Sequence, residues 1–364
     1  MTPAYRDDDL EVYIGDAFAT MAALGPGSVD AIVTSPPYWR QRYYLPDDDP
    51  DVDLELGREP SLRLWIERMV AFGALAKLVL KPTGHLWLNL GDSFAAYGGE
   101  RKIAEPGYNG RVGRHVPRVR SNLSGLPPGT RRKSLLLAPY RLAIALEEAG
   151  WILRDRIVWA KSNGLPSSAT DRFAVTDEVL FRFTLERFDD FDLEPVRVPA
   201  KPSSIERSKR ASSAGAKVGR GVELEERQGS VVNAEAKVFR YTGRKEQRAM
   251  VNPGNVWTIP TASREGARYQ HFAMFPAELV VRPILSCVPP GGVVLDPFAG
   301  TGTVGAVANR FGRRAILVEL DRRNLDPIME RTLRSLDLAL LGLGPAAAPI
   351  DDQRIELGLG EAVG

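Results

Sequence analysis

The sequence predicts a doubly wound α/β protein on a mostly parallel sheet, and three features predict it. Short apolar strands alternate with longer helical segments over most of the 364 residues. Val29-Asp30-Ala31-Ile32-Val33 is apolar enough for burial on both faces, and it runs straight into Thr34-Ser35-Pro36-Pro37-Tyr38. Val293-Val294-Leu295 likewise runs into Asp296-Pro297-Phe298-Ala299-Gly300-Thr301-Gly302-Thr303. Polar, turn-forming loops at the tips of parallel strands are where open α/β sheets build their sites.

In chain order, residues 11–14 read as a short strand ending at Gly15-Asp16, and 29–33 as a second. Residues 62–80 carry apolar side chains at helical spacing and stop before Pro82. Residues 86–90 form a third strand closing in Gly91-Asp92-Ser93. Residues 95–133, rich in Gly, Arg and Pro, have no clear period and read as a mobile loop. A helix over 135–149 ends at Gly150. Strands at 152–159 and 178–184 suit a hairpin-like edge. Residues 190–250 are rich in Ser, Lys, Arg, Gly and Glu and read as an inserted module. A helix over 276–287 precedes the 293–295 strand, and a further helix runs through Phe311. A strand at 314–318 ends in Glu319-Leu320-Asp321, a helix covers 323–336, and the Ala/Pro/Gly-rich tail from Gly342 frays. No internal repeat is visible.

Composition narrows the class. Apolar residues make up 44% of the chain, as in a soluble globular protein, and no stretch is long enough to span a bilayer. The acidic N-terminus is no signal peptide. Cys287 is the only cysteine and the three histidines are scattered, so neither an intramolecular disulfide nor a metal centre is expected. These features predict a cytoplasmic protein. Net charge is only +2, but its distribution is uneven. The stretch Arg101–Lys133 carries repeated arginine against one acid, Glu105, and a second basic stretch runs from Lys201 to Arg248. Local positive fields of this kind suit phosphate contacts; two solvated loops are the alternative.

The loop at 296–303 follows a strand and opens a helix. Gly300 and Gly302 permit close backbone approach and free N–H groups at the helix start, which favour an anionic group such as an amino-acid carboxylate. The loop is neither GxGxxG nor a Walker loop, so a dinucleotide or nucleoside triphosphate is not indicated. Glu319 ends the next strand, where a carboxylate can accept ribose hydroxyls. Loop and acid together describe a pocket for an adenosine joined to an amino acid.

Thr34-Ser35-Pro36-Pro37-Tyr38 has its own logic. Two prolines restrict φ and lack N–H groups, so the carbonyls of Ser35 and Pro36 can point into a cavity as fixed acceptors. The Ser35 hydroxyl adds another. An exocyclic amine is a poor nucleophile because its lone pair is delocalised into the ring. Acceptors on its hydrogens favour a more tetrahedral nitrogen. Tyr38 offers a flat face for a base extruded from the duplex. A surface turn of polyproline character is the alternative reading.

These two loops, in this order, resemble the β-class of DNA amino-methyltransferases, with Ser-Pro-Pro-Tyr as the catalytic loop and Asp-Pro-Phe-x-Gly-x-Gly-Thr as the cofactor motif. Gly15-Asp16, Leu88-Asn89-Leu90-Gly91-Asp92, Lys161-Ser162-Asn163 with Pro166, and His271-Phe272-Ala273-Met274-Phe275-Pro276 resemble further motifs of the class. The resemblance implies a seven-stranded Rossmann-like methyltransferase sheet with circularly permuted motif order and an inserted target-recognition region. It divides the chain into a catalytic half at 1–185, a target-recognition region at 186–255, a cofactor-binding half at 256–340 and a flexible tail at 341–364. S-adenosylmethionine is the implied cofactor and double-stranded DNA the implied partner. Ser35, Pro36, Pro37 and Tyr38 become catalytic. Asp16, His271, Phe275, Asp296, Pro297, Phe298, Gly300, Gly302, Thr303, Glu319 and Leu320 become cofactor-binding. DNA contacts fall to Arg40, Arg42, Arg111, Arg114, Arg118, Arg120 and Lys161, and in the recognition region to Arg207, Arg210, Arg240 and Arg244. Trp39 and Tyr43-Tyr44 serve either DNA or the core.

Within this family Ser-Pro-Pro-Tyr is typical of N4-cytosine enzymes, which implies a site-specific N4-cytosine methyltransferase of a restriction-modification system or an orphan. A cognate endonuclease without stable complex and a homodimer are further implications. N6-adenine methylation on the same fold is the alternative, with RNA or protein methylation and a non-enzymatic DNA-binding module behind it. Cytosine C5 chemistry needs a cysteine nucleophile, and Cys287 reads as a core residue instead.

Overall fold

The computed structural model describes residues 2–95, 125–164, 166–167, 169–200, 203, 250–262 and 276–333. The chain divides into two compact units, Met1–Val196 with Gly254–Gly364, and Arg197–Pro253. Its strands are β1 (Tyr5–Arg6), β2 (Leu10–Ile14), β3 (Val29–Thr34), β4 (Leu80–Leu90), β5 (Ile152–Lys161), β6 (Asp177–Thr184), β7 (Val198–Pro199), β8 (Met250–Val251), β9 (Val256–Ile259), β10 (Val293–Asp296) and β11 (Arg314–Glu319). In the smaller unit β7 and β8 pair antiparallel.

The larger unit is built on one sheet in the order β1-β2-β11-β10-β3-β4-β6-β5-β9. The run from β2 to β4 is parallel throughout, as expected, while β6 is antiparallel to both neighbours. Among the described residues the sheet has nine strands, which corrects the expected seven. Tyr5–Arg6 folds back on β2 as a two-residue antiparallel edge. Val256–Ile259 adds a parallel strand beside β5, burying Trp257 and Ile259. That addition also moves the β5–β6 pair inward from the edge.

The helices are α1 (Ala17–Ala23), α2 (Leu62–Val79), α3 (Ala138–Glu148), α4 (Ala277–Cys287), α5 (Thr303–Arg310) and α6 (Leu325–Leu333). They cover both faces of the sheet, α1 to α3 on one core and α4 to α6 on the other. Strand β3 feeds both: Val29 and Ile32 pack on the first core, Ala31 and Val33 on the second. From Ala31 to Val33 this alternation is the pleat of a strand with no solvent face, and the register shift between Val29 and Ala31 breaks it at Val29.

Helix α2 shows why these residues choose helix. Trp65, Met69, Phe72, Ala76 and Val79 repeat on one buried face, and the Ser61 hydroxyl accepts from Leu64 N at 3.2 Å to cap the start. It ends at Val79 because Leu80 already pairs with Val29 in β4. That strand is longer than the expected 86–90 and tolerates Pro82 because the register shifts there and needs no donor. Helix α1, absent from the sequence reading, starts where the Asp16 carboxylate accepts from Ala19 N at 3.0 Å. Helix α3 begins at Ala138 rather than 135, since Leu137 is left-handed (φ 56°) and Leu135 bridges Phe94. The ends of the predicted 95–133 loop are tied together: Ala95 N donates to Ser134 O and Lys133 N to Ala95 O, both at 2.8 Å. Residues 96–124, like the tail after 333, lie outside the described residues.

Among the described residues no helix is long and apolar enough to cross a membrane, and no group of acids, histidines and cysteine could hold a metal ion.

Candidate active site

Parallel pairing of β3 with β10, Ala31 opposite Val294 and Ile32 opposite Leu295, places the two polar loops at adjacent strand tips. A side-chain bond joins them. Thr34 Oγ1 donates to Asp296 Oδ1 at 2.7 Å, and the same oxygen accepts from Phe298 N at 3.1 Å. Burial pushes the Asp296 carboxyl up to about 7, opposed by these two donors.

A cavity of about 710 Å³ opens over the tips. Its walls include Ser35, Pro36, Pro37 and Tyr38 on one side and Asp296, Pro297, Phe298, Gly300, Thr303, Glu319 and Leu320 on the other, with Asp16 beyond Glu319. The sequence-predicted target loop and cofactor loop therefore share one space. Gly302 is left-handed (φ 79°) at the cap of α5, and a Cβ there would meet Ile328 Cγ2 at 3.2 Å.

Glu319 closes one end. Its Oε2 accepts from Gly300 N at 2.8 Å, and its Oε1 accepts from Asp321 N at 2.9 Å and Asn324 Nδ2 at 3.1 Å. Burial still dominates and raises this carboxyl to about 7. Its backbone carbonyl accepts from Gly15 N at 2.9 Å, which seats the Gly15-Asp16 turn beside it.

The other end is a polar cluster centred on Glu178, a residue that the sequence does not single out. Tyr38 Oη donates to Glu178 Oε2 at 2.8 Å. Asn89 Nδ2 donates to Tyr38 Oη at 2.8 Å and to Glu178 Oε2 at 2.7 Å. Ser35 Oγ lies 3.1 Å from Tyr38 Oη. Lys161 Nζ donates to Glu178 Oε1 at 2.6 Å. Burial and the Glu178 charge hold the Tyr38 phenol well above its ordinary range, so it stays a neutral donor. In sequence Glu178 is one acid at the head of an apolar strand. Only the β4–β6–β5 register, with Trp159 opposite Glu178, brings it to Tyr38.

Other candidates separate. Arg42 lines the cavity. Arg40 does not: it adopts a left-handed φ of 51°, donates to Pro60 O at 3.0 Å and stacks on Trp39. Lys161, expected to face DNA, is engaged by Glu178 because the β5 register points it at the cavity. Trp39 is core, donating to Glu59 O at 2.9 Å, and Trp257 is also buried. Cys287 sits buried at the end of α4, its thiol pushed up to about 11 by burial. His271, Phe275, Arg111, Arg114, Arg118, Arg120, Arg207, Arg210, Arg240 and Arg244 lie outside the described residues.

Known proteins are similar to this chain in sequence and fold. The chain is 33% identical over 332 residues to the type II methyltransferase M.Cfr9I of Citrobacter freundii, covering 90% of each. It is 32% identical over 310 residues to M.XycI of Xanthomonas campestris pv. cyanopsidis, covering 85% of this chain and 83% of that one. Its fold resembles the PvuII DNA methyltransferase described as cytosine-N4-specific, with a TM-score of 0.56, 17% identity and coverage of 93% and 92%. The match to the DNA methylase family spans residues 29–330, which include both loops, and the chain belongs to that family.

Proposed function

We propose that this DNA methyltransferase transfers a methyl group from S-adenosylmethionine to the exocyclic N4 of a cytosine flipped out of duplex DNA. The observation that carries the reading is the Thr34–Asp296 bond, which fixes an amine-binding loop against a Gly-rich turn in one cavity. The cofactor fits the residues present. Glu319 is a carboxylate poised for ribose hydroxyls, the Gly300–Thr303 turn offers backbone N–H groups at a helix start, and Phe298 supplies an apolar wall. S-adenosylmethionine supplies an electrophilic methyl group.

The chain's own residues hold and orient the nucleophile. Ser35 Oγ and the carbonyls of Ser35 and Pro36 accept from the target amine, and Tyr38 flanks the base. The serine of Ser-Pro-Pro-Tyr favours cytosine N4 over adenine N6, and a structural neighbour described as cytosine-N4-specific shares the fold. C5 transfer has no nucleophile here, since Cys287 is buried away from the cavity lining. The type II relatives favour a restriction-modification role with a cognate endonuclease. The inserted unit Arg197–Pro253, between target loop and cofactor loop in chain order, is the target-recognition region of a circularly permuted arrangement, and the basic 101–133 stretch contacts phosphates.

Mass spectrometry of nucleoside digests from expressing cells tests the reading. N4-methylcytosine is expected. N6-methyladenine in its place would overturn the base assignment, and no modified base would overturn the activity.

A further inference from the structure

The cluster around Glu178 permits a complete account of its hydrogens, and that account has a direction. Three donors converge on one carboxylate: Lys161 Nζ on Oε1, Tyr38 Oη and Asn89 Nδ2 on Oε2. The two N–H groups of Asn89 go to Glu178 at 2.7 Å and Tyr38 at 2.8 Å; Ser35 Oγ is a distant 3.5 Å. The Tyr38 phenol has a single proton, and Glu178 receives it. Tyr38 Oη can therefore only accept from Ser35, 3.1 Å away. Ser35 spends its only proton on Tyr38 and turns lone pairs to the cavity that it lines.

We infer that Glu178 is a positioning residue for methyl transfer: acting through Tyr38, it fixes the Ser35 hydroxyl as an acceptor for the target amine. This rests on the reading that Ser35 meets that amine. The same chain has a second use. When the target nitrogen bonds the incoming methyl group through its lone pair it gains positive charge and must shed one proton. Ser35 Oγ takes that proton as its own passes to Tyr38 Oη and the phenolic proton passes to Glu178 Oε2. The N–C bond forms as the methyl group's bond to the sulfonium sulfur breaks and its electron pair stays on sulfur, so the balance is a neutral methylated amine, a neutral thioether, an unchanged Ser35 and Tyr38, and a protonated Glu178 beside Lys161, which returns its proton to solvent.

The direction depends on an acceptor at both ends of the residue-178 side chain. Gln has the same shape but one donor end. With its oxygen on Lys161, its amide nitrogen faces Tyr38 and Asn89 and drives Tyr38 to accept. Tyr38 then donates to Ser35, whose proton must point elsewhere. With the amide reversed, two donors collide at Lys161. Either way the network loses its sense without losing volume.

The test compares Glu178→Gln, Tyr38→Phe, the double variant and Ser35→Ala, each checked for a cooperative melt. For Glu178→Gln the single-turnover transfer rate is expected to fall at least about 10-fold, while dissociation constants for S-adenosylmethionine and duplex DNA move by less than about 3-fold. Tyr38→Phe should fall comparably and the double variant no further, because either change cuts the same chain. A binding readout needs no turnover. The wild type's preference for a duplex with cytosine over one with 2-pyrimidinone at the target, which lacks the amine, should drop about 3- to 10-fold in Glu178→Gln, the worth of one hydrogen bond. A wild-type rate and preference in Glu178→Gln with Ser35→Ala inactive would overturn the inference and leave the parent reading standing. Activity in Ser35→Ala would overturn both. If Glu178→Gln does not fold, a wild-type transfer rate in Tyr38→Phe overturns the inference alone.

Discussion

Thr34 and Asp296 stand 262 positions apart in the chain and 2.7 Å apart in the fold, hydroxyl to carboxylate, at the tips of adjacent parallel strands. The bond is buried, and burial raises the Asp296 carboxyl from its usual 3.8 to about 7. An acid whose folded value is raised favours the folded state most at low pH. Between about 4 and about 7 the native protein keeps a proton that the unfolded chain has released, so this group's contribution is lost as pH rises through that window. Asp296→Asn removes the titration and keeps an acceptor for Thr34. Its stability relative to wild type should climb from pH 4 to pH 7 and level off above, on the order of a few kcal/mol in total. Denaturant unfolding of both proteins from pH 4 to 8 measures it, and a flat difference would mean that burial does not govern this carboxyl.

Glu319 carries the same sign at a different place. Its carboxyl is also raised to about 7 by burial, yet the role proposed for it needs the anion as acceptor. Affinity for S-adenosylmethionine should therefore weaken as pH falls below about 7. Glu319→Gln should weaken binding about 10- to 100-fold, since an amide cannot accept from Gly300 N at one end and from Asp321 N at the other. Calorimetric titration across pH 5.5–8.5 separates the two effects: the wild type should slope and the variant should not. A wild-type affinity in Glu319→Gln would remove this residue from the cofactor site.

How far the site was legible follows from strand direction. The tips of β3 and β10 are readable because each is an apolar run ending in a distinctive polar loop, and parallel neighbours put such loops at one edge. Glu319 is readable for the same reason, one strand further on. Glu178 is not. It enters from the start of an antiparallel strand, so no loop motif marks it, and only register carries it to Tyr38. Lys161 is legible as a charge in a motif on the base-pocket side, but its partner Glu178 is not. The strand count erred at the edges, where two residues of β1 and four of β9 leave little periodicity to detect.

Gly91 tests the shape of the target side alone. A Cβ there would stand 2.8 Å from Tyr38 Cε2 and 3.4 Å from the Glu178 carboxyl carbon, so the ring must shift. Gly91→Ala should lower the transfer rate about 10- to 100-fold, because small displacements of a positioning group are costly, and change cofactor affinity by less than about 3-fold. Rapid-quench kinetics and calorimetry on one preparation measure the two. Equal losses in rate and cofactor affinity would mean that the two ends of the cavity are not separable.

The basic stretch Arg101–Lys133 is assigned to phosphates on charge alone, and salt dependence is the property that distinguishes phosphate contact from mere solvation. Each phosphate neutralised releases condensed counterions, so the logarithm of affinity falls with the logarithm of salt by about 0.9 per contact. Changing Arg111, Arg114, Arg118 and Arg120 together to Gln should weaken duplex binding at low salt. It should also flatten that slope by about 0.9 for every contact removed, with little change in the ratio of specific to non-specific affinity. Fluorescence anisotropy on target and scrambled duplexes between 50 and 300 mM salt reads both quantities. A weaker but equally steep dependence would place these arginines off the phosphates. An unchanged slope with a fallen specificity ratio would make them base readers instead, since groove contacts carry sequence information and phosphate contacts do not.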